Sequence, residues 1–269
     1  MNSGSRFSYQ CNACGRCCHD QVITLSPYDV IRLARAANVS TSDAIIRFTL
    51  RRGSLLRFDS KGACAALNGV RCSVHSGRPL ACRLYPLGFQ RSRSASSRLD
   101  AIASEGYLAL EREGSHDFFT LLEPAAGSAG IYGTASTIAA FLESQEAAPY
   151  FCATERYYSL LEPMRARIVA LIDFDRIEPR EFWRRAFNEA MRESGYDPNP
   201  LIESIFDADT MAGAHRYDSE ADLITAHIGA IANLIRGAID AAMIAAAAIL
   251  LAISLGYSTA EVTNSNQLF

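Results

Sequence analysis

Cys11-Asn12-Ala13-Cys14-Gly15-Arg16-Cys17-Cys18 places four thiols within eight residues, and this run constrains the chain more than any other feature. Cysteines at steps of three can converge on one centre when the loop wraps around it, and Gly15 supplies the conformational freedom to wrap. Cys64, Cys72 and Cys82 follow within the first third of the chain, leaving Cys152 alone. No apolar stretch precedes Cys11, so no secretory signal is read and a reducing cytoplasm is the expected compartment. In that setting closely spaced thiols point to metal ligation before a disulfide framework. Neighbouring Cys17 and Cys18 argue the same way, because adjacent residues of a trans chain do not easily reach disulfide geometry with each other.

Spacing also bears on the metal. Zinc sites usually combine two distant C-x2-C knuckles, whereas C-x2-C-x2-C with a remote fourth cysteine is the ferredoxin-type pattern for a 4Fe-4S cubane. Iron–sulfur is therefore favoured over zinc. The candidate ligands are Cys11, Cys14, Cys17, Cys18, Cys64, Cys72 and Cys82, with Cys11, Cys14, Cys17 and Cys82 foremost. Seven thiols exceed one tetrahedral site, so a polynuclear centre or two neighbouring centres is expected. His19 and His75 lie beside cysteine segments and could either complete a shell or act as capping or solvent-facing residues. His116, His215 and His227 have no neighbouring motif and read as ordinary surface or core residues.

Local patterns place these ligands. Gln21–Leu25 reads as a short strand. Ser26-Pro27-Tyr28-Asp29 then gives an N-cap, a proline at N1 and an acid at N3, predicting a helix from Pro27 to about Ala37 that stops at Asn38. Ser42-Asp43 is expected to open a second helix through Leu50 or Arg51. Asn68-Gly69 favours a type I′ hairpin that would fold the segments of Cys64 and Cys72 together. Arg78-Pro79 and Tyr85-Pro86 bracket Cys82 with two fixed φ angles, predicting a stiff loop or single turn.

Downstream, 91–98 is basic, small and polar and reads as a connection, and the Gly-rich 127–133 reads as a turn. Helical periodicity recurs at Thr137–Ala147, Thr154–Asp173, Pro179–Glu193 and Ser219–Arg236, with Pro163 expected to kink or divide its segment. Ala241–Leu255 is uncharged and alanine-rich, but falls short of the roughly 20 apolar residues a span needs, so a bundle helix is expected over a membrane anchor. With 269 residues and 49% hydrophobic content, the chain can bury a sizeable core. The resulting expectation is a mainly α protein: a Cys-rich metal-binding region with short helices and a small β-hairpin (1–90), a connecting region (91–136) and a helical bundle (137–269).

Charge is uneven. Residues 1–100 carry 15 Lys and Arg against five Asp and Glu, and the remainder carries 11 against 24. Thiolates around a metal leave net negative charge, which nearby guanidinium groups can offset. Arg16, Arg78 and Arg83 are the candidates for that role or for binding an anionic cofactor, with Arg71 also adjacent to a ligand. Aromatic residues are not interleaved with the arginines in any nucleic-acid module, so no nucleic-acid partner is expected.

Cys11-x2-Cys14-x2-Cys17-Cys18, followed by Cys64, Cys72 and the block Arg78-Pro79-Leu80-Ala81-Cys82-Arg83-Leu84-Tyr85-Pro86, resembles the YkgJ-like CxxCxxCC cysteine-cluster family of zinc- or iron-chelating domains. The resemblance covers roughly residues 7–90, with a weaker likeness around Ala139–Tyr158, and it implies metal binding by these cysteines. The resemblance implies a further cysteine downstream, where this chain, near Pro124–Gly133, has none. The family is distantly similar to flagellin lysine methylases, which implies an iron–sulfur cluster and S-adenosylmethionine for an enzyme reading.

Three functions follow as expectations. The first is a metal-binding protein with a cysteine-ligated iron–sulfur or zinc centre, serving redox chemistry or activating a cosubstrate. The second is an iron–sulfur-dependent, S-adenosylmethionine-using enzyme that modifies a protein or peptide substrate. Against it, the chain has no C-x3-C-x2-C and no G-x-G-x-x-G after a strand. The third is a structural zinc module with every coordination position closed.

Overall fold

The computed structural model describes residues 1–12, 14–90, 118–122, 129–157, 199–213, 217 and 219–237. Its strands are β1 (Arg6–Gln10), β2 (Thr49–Leu50), β3 (Leu55–Leu56), β4 (Leu67–Asn68), β5 (Arg71–Cys72), β6 (Leu87–Gln90), β7 (Phe118–Leu121) and β8 (Ile131–Thr137). The helices are α1 (Pro27–Ala37), α2 (Thr41–Phe48), α3 (Leu80–Leu84), α4 (Ile138–Ser144), α5 (148–157), α6 (Asn199–Phe206), α7 (Ala208–Ala212) and α8 (Glu220–Gly237). Among the described residues every sheet is a two-stranded antiparallel pair: β1 with β8, β2 with β3, β4 with β5, and β6 with β7. The chain divides into two compact units, Met1–Gln21 with Phe58–Glu155, and Val22–Arg57 with Arg156–Phe269.

The first unit carries all seven candidate ligands. Its longest pairing joins Arg6 to Thr137 and Gln10 to Ile131, with a bulge between Arg6 and Ser8. Phe7 lies buried among Leu84, Leu87, Phe119, Ile138, Phe141, Leu142 and Phe151, meeting Phe141 edge to face at 5.1 Å. Each such side chain removed from water stabilises by about 1.5–3 kcal/mol. This apolar cluster takes in Leu84 of α3 together with Phe7 of β1, and so anchors the helix that bears Cys82.

In the second unit the predicted first helix forms with its predicted boundaries. Ser26 and Asp29 exchange a reciprocal capping box, Pro27 occupies the first turn, and Asn38 ends the helix in the left-handed region. Helix α2 starts earlier than Ser42-Asp43 suggests. Ser40 is its cap, accepting from the Asp43 N–H at 3.0 Å, because a serine three residues before the acid reaches the N3 amide. Asp207 accepts from the Thr41 and Ser42 hydroxyls at 2.6 Å each, and Arg35 holds Asp209 through both terminal nitrogens.

Other expectations change in detail. Gln21–Leu25 is not a strand: only Thr24 makes a bridge, to Leu55, flanked by Leu25 N–H to Ser54 O and Leu56 N–H to Ile23 O. The hairpin forms one residue later than expected. Asn68 pairs with Arg71, so Gly69-Val70 is the turn, and Gly69 supplies the positive φ of +60° at its first position. Ile131–Gly133 belongs to strand β8, since its backbone groups are taken up by β1 and not by a turn. The expected Thr137–Ala147 helix ends at Ser144, and a second one begins at 148. Ser219–Arg236 corresponds to α8. The segments 91–98, Pro179–Glu193 and Ala241–Leu255, together with Pro163, lie outside the described residues. Among the described residues no helix is long and apolar enough to cross a membrane.

Candidate metal centre

The geometry starts at Gly15, whose φ of +73° turns the chain so that the Cys18 N–H reaches the Gly15 carbonyl at 2.8 Å. Arg16–Cys18 then form a single 3-10 turn. Extended neighbours point to opposite faces, but in a 3-10 turn they stand about 120° apart, so two adjacent side chains can reach toward a common point. Cys17 Sγ and Cys18 Sγ lie 3.8 Å from each other.

A second segment is brought to this turn by backbone pairing. Asp59 Oδ1 accepts from the N–H groups of Lys61 and Ala63, closing a tight loop in which Gly62 has φ +79°. The Asp20 N–H donates to Gly62 O at 2.9 Å, His19 bridges Ala63, and the Cys64 N–H donates to Cys18 O at 2.8 Å. The Leu67 N–H returns to Cys64 O, and Leu67 pairs with Cys72. Cys18, Cys64 and Cys72 are thus linked through consecutive backbone hydrogen bonds.

The thiols interact electrostatically. Cys18 is pushed well above the usual thiol range by its contact with Cys17, then by burial, then by the charges of Cys17, Cys64 and Cys72. Burial raises Cys64 and Cys72 as well, countered at Cys64 by the Ala66 N–H and at Cys72 by the Val74 N–H and Arg78. In such a group each thiolate disfavours the next, and a bound cation reverses that balance. Among the described residues no three His, Cys, Asp or Glu side chains are already gathered as a ready metal site.

The remaining candidates are spread around this core. Cys11 and Cys14 are exposed, Cys82 is half-buried on α3, and none of the eight cysteines is in a disulfide. Cys152 is half-buried against the apolar cluster of the first unit. Arg78 lies within electrostatic reach of both Cys82 and Cys72, and its guanidinium bonds His75 and the Gln145 side chain. Arg83 is 2% exposed. It donates to the carbonyls of Ser76, Arg78 and Gln145 and sits 4.6 Å over the Tyr150 ring, holding the Cys82 helix to the turn after α4. Arg16 is exposed. His19 Nδ1 pairs with Gly15 O at 3.0 Å, bracing the cysteine loop from within.

Sequence reasoning singled out the thiols but not the Asp59–Ala63 loop that delivers Cys64. Its signal was present as Asp59-Ser60-Lys61-Gly62, an Asx-type turn sequence with glycine where φ is positive. The buried Tyr157–His227 pair of the second unit was likewise not anticipated. His116 and His215 lie outside the described residues.

Residues 10–101 match the model of the CxxCxxCC family, described as "Putative zinc- or iron-chelating domain". No curated protein and no solved structure matches the chain.

Proposed function

We propose, starting from the zinc- or iron-chelating match over residues 10–101, that this protein binds a transition-metal centre through its N-terminal thiols. The single observation that carries the reading is the 3.8 Å contact of the Cys17 and Cys18 sulfurs on one 3-10 turn, to which a chain of backbone bonds ties the segments of Cys64 and Cys72. Soft thiolates select zinc, iron or other thiophilic ions over magnesium and calcium. Side-chain rotation within this preformed backbone would gather the sulfurs around an ion. Coordination requires deprotonation, so loading would release protons and stabilise the first unit by the free energy of binding.

Around the centre, Arg78 offsets thiolate charge beside Cys72 and Cys82, while Arg83 acts on position alone, through the carbonyls it binds. When bound, the metal would supply either a fixed cross-link or, if iron, a redox couple. Elemental analysis of anaerobically purified protein tests the reading: zinc or iron should accompany the chain in near-stoichiometric amount. Protein that is metal-free and takes up neither ion would overturn it.

A further inference from the structure

Independently of the thiols, we infer that the solvent face formed by residues 22–57 of the second unit docks on an anionic lipid bilayer, lying on its surface without crossing it. Among the described residues of that unit, the large hydrophobic side chains left exposed are Val22 at 73%, Ile46 at 66% and Leu50 at 43%, all within this one segment. Strand pairing sets two of them on one side. Leu55 stands opposite Thr24 on one flank and Leu50 on the other, and the next row holds Ile23, Leu56 and Thr49. Opposite residues share a sheet face and successive ones alternate. The row of Ile23, Leu56 and Thr49 is buried, so the other row carries Thr24 and Leu50 outward on either side of the buried Leu55. Val22 lies two positions before Thr24 and alternates to the same side. Ile46 is on the outer side of α2, away from the buried Thr41, Ala44 and Ile45.

Charge complementarity identifies the occupant. Residues 44–58 contain Arg47, Arg51, Arg52 and Arg57 and no Asp or Glu. The first three are exposed and Arg57 is half-buried, its Nε donating to Thr49 O. Arg52 pairs with Glu203, and the preceding acid, Asp43, accepts from the Ser40 hydroxyl at the other end of α2. Arg47 and Arg51 each follow an exposed aliphatic residue directly, Ile46 and Leu50. Guanidinium groups bind phosphate oxygens in a bidentate fork, while aliphatic side chains beside them enter the acyl boundary beneath the headgroups. A stable protein interface needs about 1,000 Å² or more of matched surface, which three separate aliphatic side chains do not supply. A bilayer adapts to them without a matched shape, and each arginine near an anionic surface strengthens binding by about fivefold.

The test is co-sedimentation of the full-length protein, as purified, with vesicles of equal parts phosphatidylcholine and phosphatidylserine. Wild type should bind these vesicles, release them at high salt, and ignore vesicles of phosphatidylcholine alone. Arg47→Gln/Arg51→Gln should weaken binding about tenfold or more, and Ile46→Ser, at a side chain already in solvent, should weaken it several-fold. Arg6→Gln/Lys61→Gln removes the same charge from exposed positions of the first unit and should bind as wild type does. No binding of wild type to the anionic vesicles, or an equal loss in the Arg6→Gln/Lys61→Gln variant, would overturn the assignment. Self-association of vesicle-free protein in sedimentation velocity, abolished by Ile46→Ser, would also overturn it and give this face to a second copy of the chain.

Discussion

The Cys64 amide donates to the carbonyl oxygen of Cys18 at 2.8 Å, joining two cysteines 46 positions apart in sequence through their backbones. A side-chain contact can be lost to a rotamer change, but a backbone bond fixes where both Cβ atoms stand. Main-chain structure therefore positions the two cysteines relative to each other, and on the proposed metal-binding reading damage to that pairing should lower metal affinity without touching a sulfur.

Gly62→Ala is the most direct such lesion. Gly62 has φ +79°, where a β-carbon is strained, and the added atom would run into the Asp20 carboxylate. The strain should cost about 1–3 kcal/mol and loosen the 18–20 to 62–64 pairing. Zinc affinity measured by competition with a chromophoric chelator should fall with all eight cysteines intact; unchanged affinity would disconnect the pairing from the site.

Arg83→Lys tests the buried clamp on the Cys82 helix. A lysine carries three donors on one atom and cannot reach three carbonyls in the fork geometry of a guanidinium, nor stack on Tyr150 as a plane. Loss of about 1–3 kcal/mol of stability is expected in urea unfolding. Stability equal to wild type would show that the carbonyls are satisfied another way.

Sequence reasoning reached the local features and missed the non-local ones, for a physical reason. Ser26, Pro27, Asp29 and Asn38 act within one helix, so their cap chemistry is written in adjacent letters. The Asn-Gly pair announced a hairpin but not its phase, because Gly69 satisfies the positive φ equally as the first turn residue. Strands β1 and β8 pair across more than a hundred residues, and Arg6–Gln10 has only Phe7 fully buried, so no alternating pattern marks it. The same limit applies to the site. The cysteine residues stand out in the sequence, while the approach of Cys64 to Cys18 depends on an Asp59 loop that only folding brings into register.

Acid should destabilise the second unit through His227. Its Nε2 faces the Ser204 carbonyl at 3.2 Å, which can only accept, so Nε2 carries the hydrogen and Tyr157 donates to Nδ1 at 2.8 Å. Burial pushes the imidazole down to about 4, opposed by the Ser204 carbonyl and by Asp207 and Asp209. The unfolded chain, with an ordinary histidine near ~6.5, binds the proton first. The stability contributed by neutral His227 is therefore full above pH ~6.5, is lost as pH falls toward about 4, and is constant below that, a change of up to about 3 kcal/mol. Urea midpoints of wild type and His227→Gln across that range should diverge; parallel curves would remove His227 as the cause.

Thiol footprinting tests the central claim most directly. Metal-loaded and chelator-stripped protein would each be alkylated anaerobically and the modified cysteines identified by mass spectrometry. Cys17, Cys18, Cys64 and Cys72 should be protected in the loaded form and labelled once the metal is removed, while Cys152 labels equally in both. Equal labelling of Cys18 and Cys64 with and without metal would contradict the account.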